Sequence, residues 1–112
     1  MLVVCVDDDL LVRQVTSDMI RHLDHKVIEA SDAVSALDLI ECLPDHVDVL
    51  LTDVRMPGMN GVSLANAVRR RHPDIGIIYM TGYAGDFDMA GPVLEKPCTL
   101  GQLQKVLNEV RH

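Results

Sequence analysis

A few side chains of this 112-residue sequence are spaced so that they could act together: Asp7 and Asp8 in "VDDD", Asp53 in "LLTDVRMPGMNG", Thr81 in "MTGYA" and Lys96 in "EKP". Each lies at the end of a short apolar run. Clustered carboxylates repel one another and take up protons unless a hard cation neutralises them. Magnesium suits such a set because it takes oxygen ligands, keeps several waters and leaves a place for a phosphate oxygen. Asp7, Asp8 and Asp53, with the backbone carbonyl of Arg55, would supply the protein ligands. Lys96 can pair with Asp53 at rest and with phosphoryl oxygens after transfer, while the Thr81 hydroxyl donates a hydrogen bond. The implied chemistry is phosphoryl transfer to a carboxylate, with Asp53 as the nucleophile. Asp53 is therefore expected to be exposed at its strand end.

Taken singly, these residues have plainer explanations. An Asp before a helix caps it and complements its dipole, and Asp9 is assigned that role. One cap leaves Asp7 and Asp8 unexplained. Asp53 and Thr81 could be turn residues, and Lys96 before Pro97 an ordinary surface lysine. Their joint arrival at four strand ends favours a site. His22 and His25, three residues apart, read as solvated positions rather than metal ligands. Met56 and Met59 are expected to pack locally around the turn after Asp53. Arg69, Arg70 and Arg71 suit a helix C-terminus better than a nucleic-acid patch.

The elements that must position these groups alternate between strand and helix. "LVVCV" (2–6), "KVIEA" (26–30), "VDVLL" (47–51), "IGIIYM" (75–80) and "PVL" (92–94) read as strands. Val12, Val15, Met19 and Leu23 recur at helical spacing, as do Val34, Leu37 and Ile40, then Leu64 and Val68, and finally Leu103, Val106, Leu107 and Val110. Asp32 and Asn60 are expected caps, and Thr99 with Gln102 forms a capping box. Wholly apolar strands joined by helices predict an α/β, doubly wound parallel sheet covered on both faces, with ligands bound beyond the carboxyl ends of the strands.

Bulk properties narrow the function further. The chain length fits one domain, residues 1–112, and 48% hydrophobic residues suffice for one core. Seventeen acidic against ten basic residues give a net charge of -7, which argues against nucleic acid and for cationic partners. Three cysteines, Cys5, Cys42 and Cys98, suggest neither a disulfide framework nor a zinc site, and a reducing, cytoplasmic setting is expected. No apolar run approaches a membrane span, so no membrane contact by this segment is expected. Met1 and His112 coincide closely with the first strand and last helix, and both a free-standing protein and a piece of a longer chain fit the sequence. The sequence does not indicate whether the domain self-associates.

With these residues assembled, the sequence resembles the receiver domain of bacterial two-component response regulators, the CheY-like superfamily, over essentially its whole length. The acidic pair matches Asp7 and Asp8, the phospho-acceptor matches Asp53 within "TDVRMPGMNG", the hydroxyl residue matches Thr81, and the lysine before a cis-type proline matches Lys96. The resemblance implies a flavodoxin-like three-layer sandwich of strand order 2-1-3-4-5 and magnesium dependence. It also implies phosphate received from a sensor histidine kinase, a histidine phosphotransfer protein or a small phosphodonor.

Two positions depart from the family pattern. Val93 stands where the family commonly has an aromatic residue, three places before the lysine. The segment "GYAGDFDMAGP" between Thr81 and Lys96 is short and rich in glycine, so a short or missing fourth helix is expected, similar to receivers of hybrid sensor histidine kinases. Output through the usual face around that helix is accordingly not expected. An aspartyl-nucleophile phosphatase is the enzymatic alternative, but such enzymes usually carry an acid two residues after the nucleophile, where Arg55 stands here. A pseudo-receiver that binds partners without phosphorylation would have no need of Asp53, Thr81 and Lys96 together.

Overall fold

A computed structural model of the chain describes residues 1–43, 46–82 and 91–110. Five parallel strands, β1 (Leu2–Val6), β2 (Lys26–Ala30), β3 (Val49–Asp53), β4 (Gly76–Thr81) and β5 (Val93–Glu95), form one sheet in the order β2-β1-β3-β4-β5. Four helices occur among the described residues: α1 (Leu10–His22), α2 (Ala33–Cys42), α3 (Gly61–Arg71) and α4 (Leu100–Val110). This is the CheY-like α/β arrangement.

Strand alternation sorts the core into two halves. Val4, Val6, Leu50, Ile77 and Tyr79 face α2 and α3, where Ala36, Ile40, Leu64 and Val68 meet them. Val3, Cys5, Val49, Leu51, Ile78 and Met80 face α1 and α4, against Ile20, Leu103 and Leu107. β3 lies between β1 and β4 and is buried along its entire length. Burial of each of its apolar side chains contributes about 1.5–3 kcal/mol. That central burial holds the C-terminal end of β3 in place.

The helices start where side chains take up their free N–H groups. Asp9 Oδ1 accepts from Leu11 and Val12, Asp32 Oδ1 from Ser35, and Asn60 Oδ1 from Ser63. Thr99 and Gln102 exchange reciprocal bonds of 3.1 and 2.9 Å, the expected capping box.

Three strands lie further along the chain than expected: β3 spans Val49–Asp53 rather than 47–51, β4 Gly76–Thr81 rather than 75–80, and β5 Val93–Glu95 rather than 92–94. The cause is the ladder. Asp53 pairs in register with Met80, and Thr81 with Glu95, because backbone pairing continues regardless of side-chain polarity. Met56 is buried in the α2–α3 half of the core, whereas Met59 is exposed. The expected short or missing helix between β4 and β5 falls largely on residues 83–90, outside the described residues.

Candidate functional site

The carboxyl ends of β1, β3, β4 and β5 converge. Asp7 directly follows β1, with its N–H donating to the carbonyl of Ala30 at the end of β2 (3.2 Å). Asp53 ends β3, and the next N–H, that of Val54, donates to Met80 at 3.0 Å. Thr81 ends β4, and its carbonyl accepts the Lys96 N–H at 2.9 Å, which brings the lysine to the rim.

Charges here are close and enclosed. Lys96 Nζ lies 3.0 Å from Asp7 Oδ2 and 3.0 Å from Asp53 Oδ1, bridging two carboxylates that are nearly inaccessible. Asp53 is only 6% exposed, which corrects the expectation of an exposed acceptor. The central strand carries it into the protein. Asp8 is exposed beside it, while Thr81 is buried. Arg55 sits two residues past Asp53 at an exposed position. The turn that follows uses Gly58 at φ +78°, a conformation that favours glycine.

Asp7, Asp8 and Asp53 each place a carboxylate oxygen within 4.8 Å of the others, the one such cluster of His, Cys, Asp and Glu among the described residues. Three carboxylates face one ammonium, so negative charge is in excess. Burial raises the Asp53 pKa above the ordinary carboxylate range. Lys96 opposes that rise, and the nearby Asp7 and Asp8 add to it. Burial alone would lower Lys96, but its bonds to Asp7 and Asp53 prevail and hold it above the usual lysine value. An all-oxygen donor set of this charge fits a hard divalent cation such as magnesium.

Two contributors were missed in the sequence. Arg13 donates from Nη1 to the Asp7 carbonyl at 2.7 Å and from Nε to Glu29 at 3.1 Å. Gly61, the first residue of α3, packs directly on the Asp53 backbone, where a Cβ would overlap the carbonyl oxygen. Gly61 was visible as part of "PGMNG", but its contact depends on how the chain returns. Arg13 gave no local signal, since it lies on α1 and its partner Glu29 on β2.

The family model of the response regulator receiver domain matches residues 3–108. The chain belongs to the response regulator receiver family. This receiver is 35% identical over 115 aligned positions to the sensor kinase CckA of Brucella abortus, covering 96% of the chain but 12% of that protein. It is 36% identical over 86 positions to the DNA-binding transcriptional regulator NtrC of Escherichia coli, covering 76% of the chain and 18% of that protein. The receiver thus spans less than a fifth of either relative. Its fold is similar to the chemotaxis protein CheY4 of Vibrio cholerae, with a TM-score of 0.89 at 28% identity and 98% of both chains covered. The receiver domain from the hybrid histidine kinase CckA gives 0.84 at 26% identity, again over 98% of both chains.

Beside the receiver's acidic pocket runs an apolar groove between α1 and the segment after β5. Leu11, Val15, Met19, Met80, Pro97 and Cys98 line it, and Lys96 borders both groove and pocket. Leu11 and Val15 are 72% and 60% exposed. Among the described residues no helix is long and apolar enough to cross a membrane.

Proposed function

We propose that this receiver accepts a phosphoryl group on Asp53 from a phosphohistidine donor, a sensor histidine kinase or a histidine phosphotransfer protein, and changes its partner contacts as a result. The observation that carries this reading is the Lys96 ammonium bridging Asp7 and Asp53 inside a three-carboxylate cluster. A lone buried carboxylate would be a liability, whereas one paired with an ammonium is a prepared nucleophile.

In the reaction an Asp53 oxygen attacks phosphorus, the P–N bond to the donor imidazole breaks, and the imidazole keeps the electron pair. Lys96 then exchanges part of its pairing with Asp53 for a phosphoryl oxygen, and Thr81 at the end of β4 supplies a hydroxyl donor. Asp7, Asp8, Asp53 and the carbonyl of Arg55 would hold magnesium, which when bound neutralises charge on the transferring group. The domain is a signalling module rather than a turnover enzyme, acting in the cytoplasm.

The test is incubation with magnesium and acetyl phosphate, read by intact mass. One acid-stable, base-labile phosphoryl adduct is expected, and it should vanish in Asp53→Ala. Absence of any adduct from acetyl phosphate and from a phosphorylated histidine protein would overturn the reading.

The groove along α1 supports a protein donor. An apolar helix face docked on Leu11 and Val15 would bring its phosphohistidine to the rim at Lys96, since the groove and the pocket share that residue. Leu11→Asp together with Val15→Asp should therefore slow transfer from a histidine phosphotransfer protein by about tenfold or more, at the scale of one lost anchor contact. Labelling by acetyl phosphate should stay at the parent rate. Equal slowing with both donors would place the fault in the pocket instead.

A further inference from the structure

Asp7 is gripped through its side chain and its backbone alike. Its Oδ1 accepts the Asp9 N–H at 2.9 Å and its Oδ2 meets Lys96. Its own N–H is tied to Ala30, and its carbonyl, beyond the end of the β1 ladder, takes the 2.7 Å bond from Arg13 Nη1. Arg13 projects from the first turn of α1 and is itself aimed by Glu29 on β2, whose other oxygen lies 3.7 Å from Arg21. The side chains of Arg13 and Glu29 are 15% and 29% exposed, so this pair is largely shielded from water.

The guanidinium is planar, and its Nε and Nη1 point in fixed relative directions. Holding Nε on Glu29 therefore fixes where Nη1 stands, and with it the peptide plane that follows Asp7. Rotation of that plane about the Asp7 Cα–C bond would swing Asp8 relative to the carboxylates of Asp7 and Asp53. The geometry points to Arg13, oriented by Glu29, as a positioning residue that holds the Asp7 and Asp8 carboxylates in register for the cation. This rests on Asp7, Asp8 and Asp53 being a magnesium site.

Charge and positioning predict opposite signs. By charge alone, Arg13 repels a cation, so Arg13→Gln should tighten magnesium binding and Arg13→Lys should leave it unchanged. By positioning, both variants weaken it, because neither glutamine nor lysine supplies the two-donor fork. Supporting residues behind metal ligands typically contribute 10–100-fold in affinity, so a loss of about tenfold is expected for Arg13→Gln and Arg13→Lys. Glu29→Gln should fall in the same direction by less, since the neutral amide still accepts from Nε.

The experiment is calorimetric titration of magnesium into the apoprotein without phosphodonor, with a urea midpoint for each variant. In a second readout, Arg13→Lys should need more magnesium for half-maximal labelling by acetyl phosphate yet reach the parent yield when saturated. Unchanged or tighter magnesium binding in Arg13→Lys, with a lowered urea midpoint, would reduce Arg13 to a clamp between α1 and β2 and overturn the proposal. Should Arg13→Gln fail to fold, Arg13→Lys and Glu29→Gln carry the same test. Failure of the parent protein itself to bind magnesium would overturn the site reading. Parent binding with indistinguishable variants would overturn only the role of Arg13.

Discussion

Replacing Lys96 with methionine is expected to slow acetyl phosphate labelling of Asp53 by about 10²–10³-fold, the scale on which a preorganised charge at a reacting oxygen acts. Methionine keeps the length of the stem, so packing changes little while the ammonium disappears. Asp7 and Asp53 then share a buried corner without the ammonium that bridged them. Breaking a buried pair from one side costs about 3 kcal/mol at neutral pH.

The direction with pH follows from the pKa shifts. Asp53 already holds its proton more tightly folded than unfolded, because burial raises its pKa despite Lys96. In Lys96→Met the opposing influence is gone, so the rise must be larger. Stability of the variant should therefore recover as pH falls toward the carboxylate range, because the folded state binds the extra proton. Lys96 contributes in the parent with the opposite window: its folded pKa is raised, so its stabilisation is intact at neutral pH and fades only as pH rises through the lysine range. Magnesium binding should tighten in Lys96→Met, because a competitor for Asp7 Oδ2 and Asp53 Oδ1 has been removed. Urea midpoints at several pH values, with labelling rates at saturating magnesium, check all three outcomes. Parent-like labelling by Lys96→Met would remove Lys96 from the chemistry.

The second large effect is structural. Gly61→Ala should destabilise the fold by about 3 kcal/mol, the upper range for overpacking, because the added methyl meets the Asp53 carbonyl rather than a movable side chain. The Gly61 N–H also donates to the Val54 carbonyl at 2.9 Å, so α3 cannot back away without breaking that bond. Any relief must displace Asp53, so labelling should fall even where the variant remains folded. Gly101→Ala serves as the control. A Cβ there meets nothing within 4 Å among the described residues, and alanine in α4 should raise stability by up to about 1 kcal/mol. Equal urea midpoints for Gly61→Ala and the parent would refute the close approach.

These two residues mark where reading the sequence succeeds and where it stops. Helix caps at Asp9, Asp32, Asn60 and Thr99 were legible because a cap joins residues two or three apart, a distance that sequence displays directly. Alternating apolar runs disclosed a parallel α/β sheet, and the residues at its strand ends were readable as types. Their relations were not. That Lys96 bridges Asp7 as well as Asp53 depends on β1 lying beside β3, and strand order is a property of the assembled sheet. The burial of Asp53 likewise follows from its position in the central strand, whose ladder carries pairing two residues past the apolar run. Glu29 and Arg13 belong to separate elements that meet only when α1 packs across β2.

Lys96 also closes the sheet mechanically. β5 has three residues and is an edge strand, with a backbone bond at each end: Tyr79 to the Pro92 carbonyl, and Lys96 to the Thr81 carbonyl. The residue that fastens one end of that strand is the same one whose ammonium reaches across β4 to β3 and β1. It works as a tie rod between the least anchored strand and the most buried one. Its ammonium and its backbone N–H thus join the rim of the acidic pocket to the edge of the sheet through one residue.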